Sequence, residues 1–129
     1  VGAVARDREG RLAAATSTGG TFGKLAGRVG DTPLIGAGTW ADQDVAVSCT
    51  GVGEYFILAG GALDVAARLR YLRQPLQQAV EGLIGDVGRL GGDGGVIAVT
   101  ADGSVAFGCN SHGMKRAAAG SHIRPFASL

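Results

Sequence analysis

Aromatic residues are scarce in this 129-residue chain, at 5 %, and so are proline, with three, and cysteine, with two. Cys49 and Cys109 are too few for a disulfide scaffold and show neither CxxC nor Cys/His spacing for zinc. The plainest expectation is a pair of buried, reduced thiols in a cytoplasmic protein, with a disulfide between them left open because spacing does not give distance. Net charge is nearly absent as well: 12 basic against 11 acidic residues leave +1. That is no field to make nucleic acid or an anionic membrane the default partner. Nor does any apolar run approach the roughly 18 residues that span a bilayer. Glycine is what abounds, with 24 residues in a chain that is 46 % hydrophobic, well over double the usual share of ~7 %. The length fits one domain, residues 1–129.

Val1 to Ala5 is small and apolar, the segment Asp7 to Gly10 reads as a turn, and Leu12 to Ser17 reads as a returning strand. A chain whose first residue already sits in a strand suggests an N-terminus made by cleavage. From Thr18 to Asp31 glycines punctuate a long loop carrying Lys24 and Arg28, the kind of segment that usually holds function. Strands are expected over Ile35–Trp40 and Val45–Cys49, followed by the tight loop Thr50–Glu54. A helix then runs on the stripe Tyr55, Leu58, Ala62, Val65, Leu69 and Leu72. Gly60 and Gly61 each weaken that helix by roughly 1 kcal/mol, unless another element packs closely there. Arg68, Arg70 and Arg73 are expected to face solvent. Pro75 opens a second helix that keeps its period to Gly91, and Val96–Thr100 with Val105–Cys109 form a last hairpin. Residues 117–129 show no period and read as a loose tail. The expected order is four strands, two helices and two strands, an α+β protein. Runs such as Val45-Ala46-Val47 and Val96-Ile97-Ala98-Val99 make the sheet apolar on both faces, so a further layer, expected from a partner chain, must cover it.

Gly51-x-Gly53 before a helix invites a nucleotide reading, but Phe56 stands where a third glycine belongs and no GxxxxGK[ST] loop occurs. Arg28 and Asp31 could grip the carboxylate and ammonium of one amino acid; the plainer reading is a local ion pair. His112 and His122 read as solvated, and no metal site is expected. Thr16, Ser17, Thr18 and Thr50 fall at strand ends, where hydroxyls satisfy backbone groups or line an oxyanion site. No GxSxG elbow is present, so hydroxyl chemistry would need another base.

Six blocks in order resemble the small (β) subunit of the plant-type asparaginases, also called isoaspartyl peptidases, among the N-terminal nucleophile (Ntn) hydrolases. They are Val1-Gly2-Ala3-Val4-Ala5, Ala13 through Gly20, Gly27-Arg28-Val29-Gly30-Asp31-Thr32-Pro33-Leu34, Gly36-Ala37-Gly38, Val47-Ser48-Cys49-Thr50-Gly51-x-Gly53-Glu54, and Gly113-Met114-x-Arg116. The resemblance covers Val1 to about Arg116 and implies a four-layer αββα sandwich, about half supplied by this chain and the rest by an α subunit cut from the same precursor, in an (αβ)2 assembly. It implies hydrolysis of L-asparagine or β-aspartyl dipeptides by an N-terminal threonine, expected immediately before Val1, whose own amine is the base. No cofactor is implied.

By the same resemblance, Thr18 orients the nucleophile, Arg28 holds the substrate carboxylate and Asp31 its ammonium, which reverses the ion-pair preference. Thr50, through its hydroxyl, and Gly51, through its N–H, form the oxyanion hole, while Gly51 and Gly53 shape the floor. The chain departs from the family at Leu58, where an arginine is common, and at Thr21-Phe22-Gly23, beside the substrate loop, so the choice between asparagine and dipeptide stays open. Three alternatives remain: a silent subunit that only binds a small amino acid, a glycosylasparaginase-like hydrolase, and a threonine endopeptidase, the last disfavoured by Asp31 as an ammonium clamp.

Overall fold

A computed structural model of the chain describes residues 1–129. The strands β1 (Gly2–Arg6) and β2 (Leu12–Thr16) pair as an antiparallel ribbon. Beyond the long loop, β3 (Thr39–Ala41) and β4 (Val45–Gly51) begin a four-stranded antiparallel sheet, completed after the helices by β5 (Gly94–Thr100) and β6 (Val105–Cys109). The sheet order is β3-β4-β5-β6, with Val47 opposite Ala98 and Ile97 opposite Phe107.

Strand alternation sorts the apolar run of β4 onto two faces. Val45, Val47 and Cys49, joined by Val96, Ala98 and Ala106, enter one core with the helices α2 (Gly61–Leu72) and α3 (Leu76–Arg89). Val65, Val80, Leu83 and Val87 are the fully buried anchors of that helical layer. Ala46 and Ser48 point the other way and are also buried, because the β1–β2 ribbon lies over them: Thr16 Oγ1 and Ser48 Oγ are 2.7 Å apart. The doubly apolar sheet therefore has part of its second cover inside this chain, where a partner chain alone was expected to supply it. Helices, sheet and ribbon form three layers.

The first expected helix is two. α1 (Gly53–Leu58) stops before Gly60, which sits at φ +79°, and α2 begins at Gly61, at φ +45°. A Cβ on Gly61 would lie 2.0 Å from the Ala37 carbonyl oxygen, so the break and the close packing have one cause. The 36–37 loop docks on the new N-terminus, where Ala62 N–H donates to Ala37 O and Leu63 N–H to Gly36 O, both at 2.8 Å. Those carbonyls satisfy N–H groups a helix start leaves unpaired. The same loop explains the short third strand: Gly36 and Ala37 serve α2, and Ile35 makes only an isolated bridge with Thr39.

Three further expectations are corrected. Residues 117–129 are not a structureless tail: β7 (Arg116–Gly120) and β8 (Ile123–Ser128) pair as a hairpin, and Phe126 meets Phe107 edge to face at 6.0 Å. Arg68 and Arg70 do not simply face solvent. Arg68 joins Asp64 of α2 to Asp86 of α3, and Arg70 reaches Asp42 at 2.7 Å and Asp44 at 3.2 Å. Cys49 and Cys109 are both free thiols, Cys49 buried but Cys109 exposed. No helix is long and apolar enough to cross a membrane.

Candidate functional site

The long loop after β2 and the C-terminal end of β4 meet at the edge of the β1–β2 ribbon. A cleft of about 260 Å³ opens there, lined by Val1, Thr18, Arg28, Asp31, Thr50 and Gly51 together with backbone of the 16–21 and 30–32 segments. Five of the six residues singled out from the sequence are thus brought to one place. The sixth, Gly53, lies behind it. Gly53 is buried, and a Cβ there would sit 2.6 Å from both the amide nitrogen and Oδ1 of Asp31. Its lack of a side chain seats the Asp31 loop; it does not form the cleft floor.

Asp31 is held by its backbone: its carbonyl accepts from Leu34 N–H and Gly38 N–H, each at 3.0 Å. The side chain is consequently driven inward, 6 % exposed, and Oδ2 has no hydrogen-bond partner. Burial raises its pKa from the ordinary aspartate value, a shift that nearby backbone amides and then the Arg28 charge only partly oppose. A buried carboxylate with an unfilled acceptor is stabilised by a cation brought beside it.

Arg28 and Asp31 do not form the local ion pair that their spacing allows. Arg28 instead forks onto Glu54 at the start of α1, Nε to Oε1 at 2.7 Å and Nη2 to Oε2 at 2.8 Å. This bidentate bond holds Glu54 down at about 2, so the pair stays ionised across the physiological range. It occupies one edge of the guanidinium. Nη1 lies over Gly30, where a Cβ would be only 2.8 Å away, and takes no part in the fork. Glu54 is the site residue that the sequence reading passed over; its place in the Thr50–Glu54 block was the only signal, since nothing in spacing links it to Arg28.

Thr18 accepts from Gly20 N–H at 2.9 Å, leaving its hydroxyl proton free to donate. Thr16 is occupied structurally: its hydroxyl pairs with Ser48 and takes a hydrogen bond from Thr39 at 2.5 Å. Val1 N is within 2.8 Å of Ser17 O, and Ser17 N–H donates back to Val1 O at 2.8 Å, so the backbone at the ribbon edge is pinned beside Thr18. Gly51 has φ +146° and a Cβ on it would come 2.3 Å from Asp93 O; no side-chain-bearing residue fits there. Cys49 borders the cleft, but its thiol belongs to the helix-side core and is pushed up by burial and then by the Asp31 charge, so it is no thiolate nucleophile. His112 and His122 are exposed and outside the cleft.

Fold and cleft together define an α+β protein with a cleft of opposed charges, hydroxyls and close backbone, set at the end of a sheet strand. The family model described as asparaginase (Asparaginase_2) matches residues 1–125, and the chain belongs to that family. Its relatives include the isoaspartyl peptidases of Salmonella typhimurium, 56 % identical over 119 residues, and Escherichia coli, 54 % identical over 119 residues. These alignments cover 91 % of this chain and 38 % and 37 % of the two relatives. The plant-type L-asparaginase of Pyrobaculum calidifontis is 49 % identical over 121 residues, covering 90 % of this chain and 40 % of the relative. The chain therefore spans well under half the length of the curated relatives it matches.

Proposed function

We propose that this chain is the β subunit of an amidohydrolase that cleaves the side-chain amide of L-asparagine or the isoaspartyl bond of β-aspartyl dipeptides. The observation that carries the reading is the buried, unpartnered Asp31 carboxylate sharing a 260 Å³ cleft with Arg28. A carboxylate and a guanidinium lining one cleft suit the ammonium and carboxylate of one α-amino acid. Family membership and the names of the relatives support the same chemistry.

In this reading a threonine directly precedes Val1 and supplies the nucleophile. Its hydroxyl attacks the side-chain carbonyl carbon while its α-amine, with a pKa near 8 for such groups, accepts the hydroxyl proton. Thr18 donates to the nucleophile oxygen and holds it in line. The oxyanion is stabilised by the Thr50 hydroxyl and by Gly51 N–H, the second a donor fixed by the backbone. The carbon–nitrogen bond then breaks and the departing nitrogen takes the proton from the amine. Water, deprotonated by the same amine, attacks the β-aspartyl ester and releases aspartate, with the proton returning to the threonine oxygen.

The remaining layers come from an α subunit of the same precursor, giving the four-layer αββα sandwich and an (αβ)2 assembly. The exposed apolar side chains Phe22, Leu25, Leu34 and Ile35 on the loop after β2 support such a cover, as does the short span of the relatives that this chain matches. The free thiols suit a cytoplasmic location. The test is turnover of L-asparagine and of a β-aspartyl dipeptide by the complete protein, with Arg28→Ala as control. Loss of both activities in Arg28→Ala is expected; unaltered turnover would remove the clamp assignment. A wild-type protein that binds aspartate but hydrolyses neither substrate would leave the silent binding subunit.

A further inference from the structure

A second cleft, of about 540 Å³, adjoins the first and shares its Val1, Cys49, Thr50 and Gly51 wall. We propose that this cleft receives the leaving group, and that Lys115 and Arg116 read the α-carboxylate of the amino acid released from a β-aspartyl dipeptide. The proposal rests on the amidohydrolase reading and selects one substrate class within it.

The two clefts meet where the scissile bond must lie. On one side are Thr18, Arg28 and Asp31, which suit the aspartyl half; on the other are Gly94, Gly95 and the 113–117 segment. Ammonia leaving from asparagine would need almost none of that second space. The lining carries two cations, Lys115 and Arg116, against one carboxylate, Asp93. An unmodified sugar leaving group is neutral and has no use for them. An amino acid leaving group uses its nitrogen in the scissile bond, so its free carboxylate is the charge left to recognise.

The segment is anchored from below. Met114 is 8 % exposed, and its Sδ occupies the space over Gly95, where a Cβ would lie 2.3 Å away. Lys115 and Arg116 follow directly on this buried plug. Arg116 Nη1 donates to the Met114 and Leu129 carbonyls at 3.4 and 3.2 Å, and neither Arg116 nor Lys115 enters an ion pair, so both keep donors for a ligand. In the reaction, the leaving nitrogen takes the proton held by the nucleophile's amine as the carbon–nitrogen bond breaks. The free amino acid then departs with its carboxylate between the two cations.

The experiment compares β-aspartyl-alanine with its C-terminal amide, using the complete wild-type protein and the double variant Lys115→Ala, Arg116→Gln. Wild type should favour the free acid by about tenfold or more in kcat/KM, the scale of a lost charged hydrogen bond, and the double variant should bring the ratio close to one. Equal use of acid and amide by wild type, an unchanged ratio in the variant, or hydrolysis of L-asparagine without either dipeptide would overturn the proposal. The wild-type comparison requires no mutant to fold. Failure to hydrolyse any of the three substrates would instead overturn the amidohydrolase reading beneath it.

Discussion

Asp31→Asn separates what the carboxylate does for a ligand from what it does to the fold. The side chain is 6 % exposed and Oδ2 has no partner in the protein, so the substitution keeps shape and removes an uncompensated charge. A hydrogen bond to a charged group contributes about 1.5–3 kcal/mol, hence L-aspartate binding should weaken roughly tenfold to a hundredfold. Stability should move the opposite way. Burial raises the Asp31 pKa above its unfolded value, so the folded state holds a proton that the unfolded state has lost, and stability falls as pH rises through that window. An uncharged amide at this position escapes that loss. The variant should match wild type below the unfolded carboxylate pKa and melt at an equal or higher temperature at pH 7. For the same reason, the wild-type KM for an ammonium-bearing substrate should rise on acidification below the raised Asp31 pKa, because protonated Asp31 loses its ion pair. Calorimetric titration with L-aspartate and thermal melts at acid and neutral pH read both effects. Undiminished aspartate affinity, or a clear loss of stability at neutral pH, would refute the assignment of Asp31 as a cation receptor waiting for its ligand.

Three other changes test the surrounding construction. Glu54→Gln keeps the shape of the Arg28 fork but removes its charge, so KM should rise roughly threefold to tenfold with kcat less affected, given that charged hydrogen bonds are about twice as strong as neutral ones; steady-state kinetics on L-asparagine decides this. Gly61→Ala puts a Cβ 2.0 Å from Ala37 O at a left-handed φ, and should lower the denaturation midpoint markedly, whereas alanine at the exposed Gly23 should cost far less despite its own φ of +74° because nothing lies within 4 Å. Leu83→Ala, at a fully buried position between α3 and the sheet, should cost about 2–5 kcal/mol in urea unfolding.

Local chemistry made much of the frame legible. The β1–β2 ribbon follows from two small apolar runs around an Asp-to-Gly turn, and α3 from a clean helical period opened by Pro75. The break between α1 and α2 was not legible as a break, since it depends on Ala37 docking from 24 residues earlier, although Gly60 and Gly61 marked the place. The β7–β8 hairpin was missed because most of its residues are exposed on both sides, so no two-residue alternation marks it. At the site, hydroxyls at strand ends offered Thr16, Ser17, Thr18 and Thr50 alike and the loop offered Arg28 and Asp31 as an ion pair; the family resemblance singled out Thr18, Thr50 and Gly51 and separated the two charges. Their partners were hidden for a physical reason: Arg28 bonds Glu54 across 26 residues, and Gly53 acts by contact with Asp31, neither of which sequence spacing encodes.

In the proposed mechanism a threonine directly before Val1 attacks a substrate held by Arg28 and Asp31 at the mouth of this cleft. Mass spectrometry of the complete protein, acid-quenched during turnover of L-asparagine and then digested, tests it most directly. A β-aspartyl adduct is expected on a peptide whose first residue is that threonine, followed by Val1, and no such adduct in Arg28→Ala. A quenched protein that turns over substrate with no adduct on that peptide, or with the adduct on another residue, would contradict it.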